Sequence, residues 1–139
     1  MNILEMCDLE AAAVPLEATV ELAIRTMLDR HVGAVVVIDE NQRVAGIFTE
    51  RDVLRKLALG EYDPRKVSVR EIMTTPVEMA TRATTAGEAL ANMVERHYRH
   101  LPIVDDDGRL MGMLSIRHVL EAKIDTLTAQ LDQARAVVL

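Results

Sequence analysis

Gly46-Ile47-Phe48-Thr49-Glu50-Arg51-Asp52-Val53-Leu54 decides how this chain is read. A short apolar strand runs into a hydroxyl, and a helix is expected to begin near Glu50. Sixty-six residues later the pattern returns as Gly112-Met113-Leu114-Ser115-Ile116-Arg117-His118-Val119-Leu120. Laying residues 14–57 on 80–123 without a gap matches Thr19, Ala23, Met27, Arg30, His31, Asp39, Arg43, Gly46, Arg51, Val53 and Leu54. Many of the remaining pairs exchange one apolar residue for another. The period is longer than ordinary solenoid units and has only two copies, so it describes a pseudo-symmetric pair packed face to face.

Upstream of the motif, Val20, Ala23, Ile24, Met27 and Leu28 form one buried helical stripe, with Thr19 as N-cap and Gly33 as the stop. Residues 3–10 suit a short helix, and Ala11–Val14 a strand closed by Pro15. Val35–Ile38 and Val44–Phe48 are expected as strands joined by a turn at 39–42. Residues 50–59 then form a helix with Val53, Leu54 and Leu57 inward, stopped by Gly60. A polar linker containing Pro64 leads to the second copy. There Ser68 caps a short helix through Met73, and Val77–Ala80 is the next expected strand. Thr85 and Glu88 have capping-box spacing, ahead of a stripe of Ala86, Ala89, Leu90, Met93 and Val94. Leu101–Val104 and Leu110–Leu114 complete a second strand pair.

The last helix continues where its counterpart stops. Leu120, Ile124, Leu127, Leu131, Ala134 and Val138 are spaced alternately by four and three residues, an a/d seam that calls for a partner face. A second subunit is the favoured partner, and folding back on the chain's own domain the alternative. The expected fold is α/β (α+β), with small sheets covered by helices. Residues 1–62 form one repeat, 63–124 the second, and 125–139 a C-terminal helical extension.

Composition narrows the function. The chain has 139 residues, 50% of them apolar and 27% charged, as expected of one globular domain with two halves sharing a core. A net charge of −6, with only Phe48, Tyr62 and Tyr98 aromatic, argues against nucleic acid as a partner. The longest apolar run, Ala34–Ile38, is far too short to cross a bilayer. With the single Cys7 and no secretory leader pattern, a cytoplasmic location is expected.

The tandem Gly-apolar-x-Thr-x-Arg-Asp-apolar-Leu pattern, each copy preceded by a helix and an apolar strand, resembles the cystathionine β-synthase (CBS) domain. Two copies with a short linker resemble a CBS pair, or Bateman module, from about residue 3 to residue 124. Thr49 stands where a strand gives way to a helix, so free N–H groups and a hydroxyl suit a phosphate there. Asp52, one turn in, is acceptor-only and suits ribose hydroxyls. Thr49-x-x-Asp52 is equally a helix cap that needs no ligand. The resemblance favours the ligand: in CBS pairs this Asp commonly holds an adenosine ribose and this Thr lies near the phosphates, making Thr49, Arg51 and Asp52 nucleotide-binding.

It also implies that the two residues before Leu101-Pro102, Arg99 and His100, reach the ligand phosphates. The alternative is a solvated strand edge, with Arg99 paired to a carboxylate. The adenine would lie against Val77 and Met79, with Tyr98 closing one side. The second copy departs from the pattern, since His118 replaces the aspartate; one good site, at Asp52, is expected. The resemblance thus implies a non-catalytic regulatory module. It needs no cofactor and binds an adenine nucleotide as ligand, AMP first among AMP, ADP, ATP and NAD-type molecules. It would signal to an unknown regulated protein by changing shape, as a homodimer. A ligand-free interaction or dimerisation scaffold is the alternative. No metal-ligand spacing, Walker loop, G-x-G-x-x-G or nucleophile motif is present.

Overall fold

The computed structural model describes residues 2–138; the side chains of 137 and 138 are outside the description. Elements follow in the order α1 (Ile3–Met6), β1 (Ala13–Pro15), α2 (Val20–Arg30), β2 (Ala34–Ile38), β3 (Val44–Thr49), α3 (Glu50–Asp52), a π-helical segment (Val53–Leu57), α4 (Val69–Ile72), α5 (Ala86–Arg96), β4 (His100–Val104), β5 (Leu110–Ser115) and α6 (Ile116–Val138). The mixed α/β architecture with two repeats and a C-terminal helix is the one expected from the sequence.

The strands form two small sheets. In the first, β1 runs parallel to β2 and β2 antiparallel to β3; in the second, β4 and β5 pair antiparallel. Strand β2 is apolar throughout because both its faces are buried. Val35 and Val37 pack into one core with Val20, Ala23, Met27 and Phe48. Ala34 and Val36 point the other way, into a cluster with Ile47 and Met113 that joins the halves.

The leading segments cross between halves. Helix α1 opens the first repeat, yet its Ile3 is buried in the second-half core with Leu101, Ile103 and Leu114. Helix α4 opens the second repeat, yet Val69 and Ile72 are buried in the first-half core. The chain behind each helix makes a matching bridge, Asp8 with Met113 and Thr74 with Ile47. Each crossing lies on a glycine. A Cβ on Gly46 would come within 2.4 Å of the Met73 sulfur, and one on Gly112 within 2.8 Å of the Cys7 sulfur. Glycine lets the crossing segment lie close at both positions, where a Cβ would also crowd the Thr74 carbonyl at 3.1 Å and the Asp8 carbonyl at 3.0 Å.

Several local expectations are corrected. The first helix ends at Met6 rather than near residue 10, because Asp8 is drawn into pairing with β5. Strand β1 includes Pro15, tolerated at a sheet edge. Helix α2 is capped by Thr19 as expected but ends at His31 (φ 54°), as α5 ends at His97 (φ 61°), so histidines take the left-handed position assigned to Gly33. The helix expected over 50–59 opens into a π segment after Asp52, and Leu54 faces solvent at 71% exposure. Leu28 and Val94, at the edges of their stripes, are also exposed. The strand expected over 77–80 reduces to a single bridge, Ala80 with Ile103. At Thr85 the hydroxyl accepts from the Glu88 amide. The reciprocal capping box is found at Thr49 and Asp52. Along α6, Leu120, Ile124, Leu127 and Leu131 are all exposed, so the seam faces away from the chain's own cores. Val138, the last seam position, lies outside the described side chains.

Candidate functional site

Thr49 ends β3 and caps α3, which places Asp52 one turn above the sheet edge. The cap is reciprocal. Thr49 Oγ1 accepts from the Asp52 amide at 3.3 Å, while Asp52 Oδ2 accepts the Thr49 amide at 3.0 Å and the Thr49 hydroxyl at 3.3 Å. The other oxygen, Oδ1, accepts the Thr74 hydroxyl at 2.8 Å and lies 3.1 Å from the Lys56 ammonium. At 5% exposure, Asp52 is the one buried charged residue among those described.

A cleft of about 220 Å³ opens over this corner. Thr49, Arg51, Asp52, Tyr98, Arg99 and His100 all line it, so six of the eight residues singled out from the sequence come together across the two halves. Val77 lines an adjoining hollow of about 30 Å³, which shares Ile47, Thr74, Tyr98 and His100 with the main cleft. Met79 is 43% exposed and lies on neither wall. Arg51 bridges the halves by donating to the His97 carbonyl at 3.2 Å. Arg99 is exposed, and no ion pair holds it among the described residues.

The cleft is cationic in an acidic protein. Arg51, Arg55, Lys56 and Arg99 face Glu50 and Asp52, whereas the whole chain carries −6. His100 adds no proton at neutral pH. Burial, then the positive Arg99, then His118, push its pKa down to about 4. An excess of one sign of charge on the walls of a cleft concentrates field there, and four cations against two carboxylates favour an anion.

Sequence reasoning overlooked Arg55, Lys56 and Thr74. Lys56 stands four residues after Asp52 on the same helical face, a spacing that could have found it. Thr74 is 22 residues away and arrives by the crossing of the leading segment, which no local pattern signals.

A second cavity, of about 290 Å³, lies at the pseudo-equivalent corner. Ser115, Arg117 and His118 line it with His31, and it shares Gly33, Glu50, Arg99 and His100 with the first. Among the described residues no group of three or more His, Cys, Asp or Glu is arranged to hold a metal ion. No described helix is long and apolar enough to cross a membrane.

Comparison with known proteins gives a consistent picture. The family model for the CBS domain matches residues 6–59 and again 69–125. An uncharacterized protein of Methanopyrus kandleri is 36% identical over 109 residues, covering 78% of this chain and 55% of the relative; the chain thus spans about half that relative's length. A CBS-domain protein of Burkholderia ambifaria, named for signal transduction, superposes with a TM-score of 0.81 at 30% identity, covering 90% of this chain and 95% of the other. The plant protein CBSX2, in its crystal structure with AMP, superposes with a TM-score of 0.76 at 23% identity, covering 90% and 97%.

Proposed function

The chain belongs to the CBS-domain family, and from that membership together with the Thr49–Asp52 cleft we propose a non-catalytic regulatory module that binds an adenine nucleotide. CBS-pair proteins are regulatory modules. Support for the finer reading comes from one observation above all: a buried carboxylate and a hydroxyl at a strand-to-helix corner meet a cationic wall contributed by the other half. An acceptor for ribose and donors for phosphate are the chemistry a nucleotide requires. CBSX2 shares the fold and binds AMP, which supports AMP as the first ligand to try, ahead of ADP, ATP and NAD-type molecules.

In this reading Asp52 takes the ribose, Thr49, Arg51, Arg99 and His100 the phosphate end, and Val77 and Tyr98 the base. Met79 belongs to the set through family resemblance alone. Residues 1–62 and 63–124 act as the two repeats. A ligand touching both halves favours the arrangement in which the walls converge, and a regulated protein reads that shape. The exposed seam of α6, in the extension 125–139, pairs two chains into a homodimer; deleting 125–139 is expected to halve the mass in solution.

A second reading has its own support. Both Asp52 oxygens are satisfied by protein donors, as a purely structural cap would be, which favours a ligand-free dimerisation scaffold. A thermal-shift panel separates the two. A ligand at a hundred times its dissociation constant adds about 2.7 kcal/mol of stability, and AMP is expected to raise the melting temperature. A panel of adenine compounds with no shift favours the scaffold.

A further inference from the structure

An ionised carboxylate has about four lone-pair positions. At Asp52 three hold hydrogen bonds without a ligand, and the Lys56 ammonium lies 3.1 Å from Oδ1 as an ion pair, so two positions for a diol are not free. Oδ2 takes the Thr49 amide and hydroxyl, Oδ1 the Thr74 hydroxyl and the Lys56 ammonium. A ribose diol therefore reaches this carboxylate only by displacing a protein donor. Thr49 is tied into the helix cap. Thr74 is pinned by its backbone, which exchanges hydrogen bonds with Ile47 at 2.8 and 3.0 Å. Lys56 is the long, flexible member of the set, 37% exposed and already on the cleft wall. It is the group that gives way.

Giving way is unfavourable without compensation. The ammonium surrenders a charge-assisted contact with a buried carboxylate, together with the Ile72 carbonyl at 2.9 Å and the Thr74 hydroxyl at 3.4 Å. Diol hydroxyls donate charge-assisted bonds to the carboxylate but bring no counter-charge to replace the ammonium. The released cation is left beside Arg51, Arg55 and Arg99, with Glu50 as the remaining carboxylate on that wall, and an uncharged ligand adds nothing to balance the excess. A phosphate supplies the missing anion within the same cleft. We propose that Lys56 makes the site selective for phosphorylated over unphosphorylated nucleosides, by holding Asp52 Oδ1 until a ligand brings its own counter-charge. Lys56 is then a specificity residue in the proposed adenine-nucleotide site, on which this inference rests.

Calorimetry with AMP and adenosine on wild type, Lys56→Met, Lys56→Arg and Thr74→Val tests it. Wild type is expected to prefer AMP by about a hundredfold or more. In Lys56→Met, adenosine binds more tightly and AMP more weakly, so the ratio of affinities falls by about tenfold or more. Lys56→Arg keeps the ratio. Thr74→Val shifts both ligands in the same direction and also keeps it. A general weakening of the fold moves both affinities together, so the ratio reports on selectivity alone. Lys56→Gln takes the place of the methionine variant should that protein fail to fold, with the same expectation. An unchanged ratio in the Met or Gln variant overturns the role of Lys56 and leaves the nucleotide reading standing. Wild type that binds neither compound overturns the nucleotide reading, and the selectivity with it.

Discussion

The Thr49–Asp52 and Ser115–His118 corners share a backbone and differ in chemistry. At both, the hydroxyl residue ends a strand and caps the following helix, and the residue three positions on returns the bond. Asp52 Oδ2 accepts the Thr49 amide at 3.0 Å, and His118 Nδ1 accepts the Ser115 amide at 3.1 Å. A carboxylate has a second oxygen left after closing the cap. An imidazole that accepts at Nδ1 presents only an N–H at its other nitrogen. Shifting by 66 residues changes the other partners too: Lys56 becomes Ala122, Arg55 becomes Glu121, and Arg99 and His100 become Gly33 and Ala34. Duplication preserved the scaffold of two sites with Arg99 and His100 on the wall between them, and placed the carboxylate, Arg55 and Lys56 at one.

The largest expected effect comes from removing that acceptor. Asp52→Ala is expected to abolish AMP binding, weakening it about a hundredfold or more by calorimetry, while circular dichroism shows the fold retained. Unchanged affinity would make the two corners functionally alike and remove the ribose assignment.

His100, on the wall both cavities share, gives the next effect. Its pKa of about 4 in the folded chain lies below the ordinary 6.5, so the unfolded chain binds the extra proton between those values. Stability is full above pH 6.5 and is lost as pH falls toward 4, by ~2 kcal/mol after partial screening by solvent. Denaturant titrations at pH 7 and pH 4.5 should show this difference shrinking in His100→Asn. An equal acid loss in both proteins would place the responsible group elsewhere.

Arg99→Ala is expected to weaken AMP by about tenfold and leave adenosine within about twofold, since the guanidinium serves the phosphate end. A parallel loss of both ligands would move Arg99 to a structural role. The smallest change is expected from His118→Asp. Restoring the carboxylate still leaves Glu121 and Ala122 where the first corner has Arg55 and Lys56. Asp8 and Glu50 offset Arg99 and Arg117 on that cavity's wall, so binding stays at one AMP per chain. A second equivalent in calorimetry would show that the histidine alone disables that corner.

Much of this was legible in the sequence because it is local. Caps at Thr19, Thr49, Ser68 and Thr85 join residues two or three positions apart. Both hairpins are set by continuous apolar runs either side of short polar turns, and the duplication shows in eleven matched residues at a constant spacing. Even the second repeat's departure was visible as a single letter, His118. The helix ends at His31 and His97 were less legible, since histidine takes the left-handed position there in place of the glycine that usually marks it.

Tertiary structure alone decided which half each leading segment packs on. A short helix carrying Ile3, or Val69 and Ile72, has the same apolar face whichever core it meets, so local pattern is silent about the exchange. That exchange brings Thr74 onto Asp52 and lays Met73 and Cys7 over the motif glycines. The shared wall of Arg99 and His100 likewise exists only because the two halves pack through β2, β3 and β5. Sequence determined the parts and their doubling, because hydrogen-bond caps and apolar periodicity act over a few residues. Chain crossing and packing between the halves determined which donors stand around the buried Asp52 carboxylate.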